Sequence, residues 1–403
     1  MNGGQIHLGA KNVYEIDGGV YFFNIDFNSL FRFDIQTRSI RHLDAFLEYQ
    51  TQQKILFGDF VVENDKELFF FPGYGNFIGI YNTQSNKDEK VLFNSDYVDQ
   101  KNINFSVAKI IVSVKKVWIF LSDTSLGVYV LDLESHQIQK DDDLSEKIKD
   151  YPTLVWKLEQ SYDNFSFVQT SDLKFLLQID VEKGNFIERE MPVLNGIIIG
   201  DNGKQIWLYV ANSTEIYEWS VEENEVSVYL ITDEELVNKG QEYQMPPYAR
   251  CVCYGDDVFV LGWGIDAIMK LNRAEKKIER AFALPEKFLF YEYKKTSKFI
   301  SSFWSVEMIG EKICFFPCSG NMILIYDPKS GEVRGEELLI DKKKIINYRE
   351  MIIDKLYNEY PQSETNDYFS LYDCLDYGQK QYIPRAKLEE NIGQQIWSKL
   401  KSE

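Results

Sequence analysis

The chain has five cysteines, arranged as Cys251-x-Cys253, Cys314-x3-Cys318 and a distant Cys374. Two such pairs could supply four thiolates to a tetrahedral zinc ion. Against that, residues 251 and 253 flank Val252 in an apolar run, and Cys is among the residue types most often buried as a small side chain. No metal is therefore expected. The histidines are His7, His42 and His136. They stand far apart, and no Ser/His/Asp or Cys/His set can be built from them. A phosphate-binding Gly-x-x-x-x-Gly-Lys-Ser/Thr run is absent, and no Gly-x-Gly-x-x-Gly joins a strand to a helix, so no cofactor is expected. Asp26, Asp123, Asp172 and Asp266 sit in short polar connections. A carboxylate pair there could serve a glycan hydrolase or lyase. Asp is equally favoured in such connections because it makes Asx turns, and no catalytic residue is assigned.

Aromatic residues offer a better set. Tyr74, Trp156, Tyr248, Trp263 and Trp304 are expected on hairpin loops or inner strands near the channel mouth, with Arg250 at the entry to an inner strand. Trp, Tyr and Arg are the preferred anchors of binding hot spots. These six form the candidate ligand- or partner-binding set; the competing assignment is that they fill the core.

The elements that must position them repeat. Leu68-Phe-Phe-Phe-Pro-Gly-Tyr-Gly-Asn76 leads into Phe77-Ile-Gly-Ile-Tyr-Asn82, and Ile313-Cys-Phe-Phe-Pro-Cys-Ser-Gly-Asn321 leads into Met322-Ile-Leu-Ile-Tyr-Asp327. Each copy is an apolar strand, a Pro/Gly/Asn loop and a second apolar strand, the pattern of a β-hairpin. Weaker copies end on Asp34, Asp132, Asp180, Ser220 and Asn272. The spacing of these strand-ending residues is roughly 40 to 55, near the period of a four-stranded blade. A polar strand follows each anchor, as in Thr37-Arg-Ser-Ile-Arg-His42. An apolar strand precedes each hairpin, as in Phe57-Gly-Asp-Phe-Val-Val62 and Ser302-Phe-Trp-Ser-Val306. The pattern predicts an all-β chain: a seven-bladed β-propeller over residues 1–340, with Gln5-Ile-His-Leu pairing with the last blade to close the ring.

The repeat resembles the WD-repeat and Kelch-like propellers. It departs from both, with no Gly-His…Trp-Asp pair per blade and no regular Gly-Gly. The Phe-Phe-Pro-x-x-Gly-Asn hairpin and the tail are similar in style to propellers of anaerobic Gram-positive bacteria. The resemblance implies the fold.

Asp141 to Lys149 and Thr232 to Gly240 read as short helices inserted between blades, the second with an N-cap Thr, an acidic first turn and a Gly near its end. The segment from Ala283 to Lys298 is a long connection rich in aromatic and basic residues. Residues 341–403 change to a helical pattern. Leu388, Ile392, Ile396 and Leu400 recur four apart, and an amphipathic stripe of this kind needs cover. This predicts a helical tail packed on the propeller, with docking to a partner or a second copy as the alternative.

The net charge is −19. That disfavours nucleic acid, whose binding draws on Lys and Arg, and also anionic membranes. A protein or peptide partner is expected, and a glycan is compatible with the aromatic set. The N-terminus has neither the basic nor the apolar region of a secretory signal, and the cysteine count is odd. Both point to a cytoplasmic protein with reduced thiols. The function expected is a non-catalytic binding or scaffold propeller, with the glycan-active enzyme as the alternative.

Overall fold

The structure is a computed structural model that describes residues 3–5, 10–24, 29–34, 36–37, 39–43, 46, 57–73, 75–93, 105–154, 165–210, 213–232, 248–262, 267–288, 303–317 and 320–341. Among these residues it is nearly all antiparallel sheet. After β1 (Gly3–Gln5), the first meander runs β2 (Ala10–Ile16), β3 (Gly19–Asn24), β4 (Ser29–Asp34) and β5 (Ser39–Leu43). The second runs β6 (Phe57–Asn64), β7 (Glu67–Pro72), β8 (Phe77–Asn82) and β9 (Lys87–Leu92). The third is β10 (Val107–Ser113), β11 (Lys116–Leu121), β12 (Val128–Asp132) and β13 (Ile138–Asp141), followed by helix α1 (Asp142–Ile148). The fourth shows three strands, β14 (Phe165–Gln169), β15 (Phe175–Asp180) and β16 (Asn185–Glu190). The fifth is β17 (Gly196–Asp201), β18 (Gln205–Val210), β19 (Glu215–Ser220) and β20 (Glu225–Ile231). The sixth is β21 (Tyr248–Tyr254), β22 (Asp257–Gly262), β23 (Ala267–Asn272) and β24 (Lys277–Ala283). The last is β25 (Phe303–Ile309), β26 (Lys312–Pro317), β27 (Met322–Tyr326) and β28 (Val333–Glu337), with β29 (Leu339–Asp341) after it.

Burial follows strand position. In the second meander, β7 is buried from Leu68 to Pro72 and β8 from Phe77 to Tyr81. These middle strands are covered on both faces, so both side-chain sets of the alternation must be apolar. The last strand, β9, has no buried residue, and its sequence Lys-Asp-Glu-Lys-Val-Leu matches.

Apolar clusters join each meander to the next. Phe23 and Leu30 of the first pack with Phe57 and Phe70 of the second. Phe69 and Ile78 pack with Val107 and Ile119 of the third, and Ala108 and Phe120 with Val168 and Leu177 of the fourth. Phe167 and Leu176 meet Ile206 and Trp219. Trp207 and Tyr229 meet Val258 and Met269, and Phe259 and Ile268 meet Phe315 and Leu324. Finally, Phe316 and Ile323 of the last meander pack with Val20, Phe22 and Phe31 of the first. First strands also approach one another, β2 lying against both β6 and β25. The arrangement is propeller-like.

One glycine is needed where the first two meanders meet. A Cβ on Gly79 of β8 would lie 2.5 Å from the Phe57 ring and 2.7 Å from that of Phe46. Phe46 is fully buried at a φ of 63°, and its backbone N–H donates to Asp88.

The turn from the third to the fourth strand explains the repeating anchor. Asp34 Oδ1 accepts the Thr37 N–H and hydroxyl. Asn82 Oδ1 accepts from the N–H groups of Gln84 and Ser85 and from the Ser85 hydroxyl. Asp132 does the same with Glu134 and Ser135, and Asp327 takes the N–H groups of Lys329 and Ser330. Asp180 accepts from Lys183, and Asn272 from Glu275. The residue four past the anchor is left-handed: Asn86, His136, Gly184, Asn224, Lys276 and Gly331 all have φ between 49° and 72°. This is the type I turn with a left-handed residue that closes three-to-five-residue hairpins.

Two features differ from the sequence expectation. Gln5 pairs not with the last meander's sheet but with Leu339 of β29, in a separate two-stranded ribbon. The ribbon forms because the chain continues as a strand beyond β28. Meanders five and six also share one sheet: β20 and β24 pair in parallel at Leu230↔Lys277 and Ile231↔Ile278. The insert at 141–149 is a helix as predicted, capped by Asp141 Oδ1 on the Leu144 N–H at 3.0 Å. The helix predicted at 232–240 lies outside the described residues beyond Thr232, as does the tail from 342 onward.

Candidate functional site

Six of the first strands carry a register shift against their second strand. The shifts fall at Lys11/Tyr14, Phe57/Val61, Val107/Lys109, Ile198/Gly200, Tyr248/Arg250 and Phe303/Ser305. A bulge leaves extra residues unpaired and re-aims the side chains beside it. Five of the six lie in the half of the strand nearest the connection between the second and third strands; that of β17, after Ile198, falls past its midpoint.

Three of the residues singled out in the sequence stand on these bulged ends. Tyr248 opens β21 opposite Gly262, and Arg250, half-buried, is the next paired residue, opposite Leu261. Trp304 is the unpaired residue of the bulge between Phe303 and Ser305. The side chains of Tyr248 and Trp304 are outside the described set, and so are Tyr74, Trp156 and Trp263 altogether. The backbone thus brings Tyr248, Arg250 and Trp304 to the same end of the first strands of two meanders that pack together.

Lys109 belongs with them and was missed. It follows the bulge of β10 as Arg250 follows that of β21, and it is fully buried. Desolvating an ammonium group is costly unless it is paired, and Lys109, like Arg250, does have interaction partners. The signal was a single cation inside Val107-Ala-Lys-Ile-Ile-Val112.

The described carboxylates of the enzyme alternative serve turns. Asp123 Oδ1 accepts from the Ser125 N–H at 3.0 Å and the Ser125 hydroxyl at 2.6 Å. Asp172 accepts the Thr170 hydroxyl at 2.7 Å and the Lys174 N–H at 3.2 Å. The Thr170 hydroxyl bond holds the Asp172 carboxyl below its usual range. Asp26 and Asp266 lie outside the described residues. Of the thiols, Cys251 packs between the fifth and sixth meanders and Cys314 between the seventh and first. Burial pushes the Cys314 thiol up to about 12. These two therefore belong to different cores, and Cys318 and Cys374 are outside the described residues.

His136 lies between two carboxylates of the second meander, with Nδ1 2.8 Å from Glu89 and Nε2 3.0 Å from Glu67. It ties the third meander to the second. His42 lies on β5 against the Phe31 ring, and His7 is outside the described residues. A cavity of about 390 Å³ is lined by Pro285, Glu286, Lys287, Met322 and Gly335 to Glu337. It sits on the last strand of its meander, not on the bulged first strands. Among the described residues, no helix is long and apolar enough to cross a membrane.

No family model and no curated protein sequence matches the chain. Solved structures do. The extracellular domain of the putative one component system BT4673 from B. thetaiotaomicron aligns with a TM-score of 0.47 and 13% identity, over 80% of this chain and 39% of that one. Dihydro-heme d1 dehydrogenase NirN, in complex with DHE, aligns at 0.44 and 11%, over 84% and 67%. The RRP9 WD40 repeats align at 0.41 and 8%, over 68% and 78%. The chain spans about two fifths of the first of these proteins. Its propeller-like character rests on its own packed meanders.

Proposed function

We propose that this chain is a closed seven-bladed propeller working as a non-catalytic binding or scaffold module. It recognises a protein, peptide or glycan-bearing partner across the face that carries the second-to-third-strand connections. The cyclic packing, in which the last meander covers the first, supports seven blades. The observation that carries the binding reading is Arg250: a half-buried guanidinium just past a bulge, beside Tyr248 and on the same end as Trp304. Cations and aromatics gathered at one end of the first strands suit an acidic or aromatic-binding group on the partner. The cytoplasm is the compartment that fits the reduced thiols.

The test is capture of partners from native lysate by wild-type protein, Arg250→Ala and Trp304→Ala, with melting temperatures alongside. Weakened capture with nearly unchanged melting is the expected outcome. Unchanged capture with a loss of about 3–5 kcal/mol, as for truncating a buried aromatic, would show that these residues are core.

A further inference from the structure

Arg32 and Arg41 are direct cross-strand partners on β4 and β5. Like charges in that position are destabilising. The chain has 63 acidic residues, yet neither arginine has an ion-pair partner among the described residues. Arg32 Nε is buried and donates to no acceptor either.

Arg32 is nonetheless held in place. Arg32 lies over the Tyr21 ring, its Cζ 5.7 Å from the ring centre. Tyr21 is the cross-strand partner of Arg32 on β3. Beside it Gly19 leaves the space the guanidinium fills: a Cβ there would be 2.7 Å from Arg32 Nη2. Burial raises the Tyr21 hydroxyl above its ordinary value, so it stays a donor at neutral pH. From the second meander, Tyr81 packs 6.3 Å from Tyr21, and its hydroxyl is committed to Asn86. Asp17 and Asp88 act on these tyrosines through space, but Asp88 accepts the Phe46 N–H instead of pairing with either arginine.

We infer that Arg32, Arg41 and Tyr21 form a binding site for a phosphate-type dianion at the seam of the first two meanders. Two cross-strand positive charges are neutralised by one dianion, whereas a monocarboxylate leaves one uncompensated. Guanidinium forks match the tetrahedral oxygens, and the Tyr21 hydroxyl adds a neutral donor. The site is separate from the bulged strand ends of the proposed partner face, since it lies on β3 to β5.

The test uses the full chain with inorganic phosphate and, separately, phosphoserine, at fixed ionic strength against chloride. A ligand that binds only the folded state raises the melting temperature in proportion to its occupancy. Wild type should respond to phosphate and not to chloride. Arg41→Gln, at an exposed position, should fold normally, melt at the same or a slightly higher temperature without ligand, and bind about tenfold more weakly, the size expected for losing one charge-assisted hydrogen bond. Arg32→Gln should bind as weakly. A response to phosphoserine assigns a phosphomonoester; a response to inorganic phosphate alone assigns the free ion. An equal response in wild type and Arg41→Gln, or one that chloride reproduces, overturns the site. Partner capture by Arg41→Gln should be unchanged, which separates this site from the partner face.

Discussion

At one end of the meanders, the turns after Asp34, Asn82, Asp132, Asp180, Asn272 and Asp327 share one scheme: a side-chain oxygen on the N–H two or three residues on. At the other end the described connections vary, except that the Asn76 and Asn321 carbonyls accept the Phe93 and Leu338 N–H groups alike. Asp123 caps a 3-10 turn, Thr170 and Asp172 close a tight hairpin, and α1 packs Leu144 and Ile148 under the third meander. One end is constrained by having to repeat, because every meander must turn within the same width. The other is released from that constraint, and there Arg250, Trp304 and the buried Lys109 appear. Variation among otherwise equivalent positions is what a binding face requires.

Breaking the shared packing should have the largest effect. Phe70 is fully buried and meets Phe23, Phe46 and Phe57. Phe70→Ala should cost about 3–5 kcal/mol, read by denaturant unfolding. Gly79→Ala should cost about 1–3 kcal/mol, because its Cβ must displace the Phe46 and Phe57 rings. A near-neutral Gly79→Ala would mean that the seam between the first two meanders is loose.

The turn scheme can be tested in both directions. Asn82→Ala removes an acceptor from two backbone N–H groups and one hydroxyl, for an expected loss of about 1 kcal/mol. Ser220 is the outlier. Its hydroxyl donates to Glu223, although Asn224 is left-handed like the other fourth residues. Ser220→Asn imports the missing acceptor and should stabilise by about 0.5–1 kcal/mol. Destabilisation there would show that the fifth turn differs in more than its side chain.

The turn end was legible in the sequence and the loop end was not, for a physical reason. Asp, Asn and Ser at strand ends carry their role in their own chemistry, and seven spaced copies reinforce one another. Polarity likewise marked Phe57-Gly-Asp-Phe-Val-Val62 as a first strand and Thr37-Arg-Ser-Ile-Arg-His42 as a polar last strand. Bulges leave no such mark. Nothing in Tyr248-Ala-Arg250 or Phe303-Trp-Ser305 announces an unpaired residue, because the shift arises from how β21 and β25 meet β22 and β26. The β1–β29 ribbon was half-read for the same reason: Gln5 was seen as a closing strand, but its partner Leu339 depends on where the last meander ends.

The smallest effect expected is a pH dependence, and it separates the Asp turns from the Asn turns. The Thr37 N–H bond holds the Asp34 carboxyl below its ordinary value, and the Ser135 N–H does so for Asp132. Lys183 lowers Asp180, and the Lys329 N–H lowers Asp327. In the unfolded chain these carboxyls return to the ordinary range and bind a proton more readily. Stability therefore rises with pH across that window. The contribution is complete above the ordinary carboxylate value, about 4, and is lost as pH falls through the lowered folded values. All four groups lie half-buried at the solvent boundary, so each share is small. Asp132→Asn keeps the acceptor oxygen and removes the titration. Its melting temperature should match wild type at neutral pH and fall less between pH 5 and 3, a window set by the ordinary carboxylate value. Identical acid profiles for Asp132→Asn and wild type would mean that the turn oxygens are not what acid unfolding titrates.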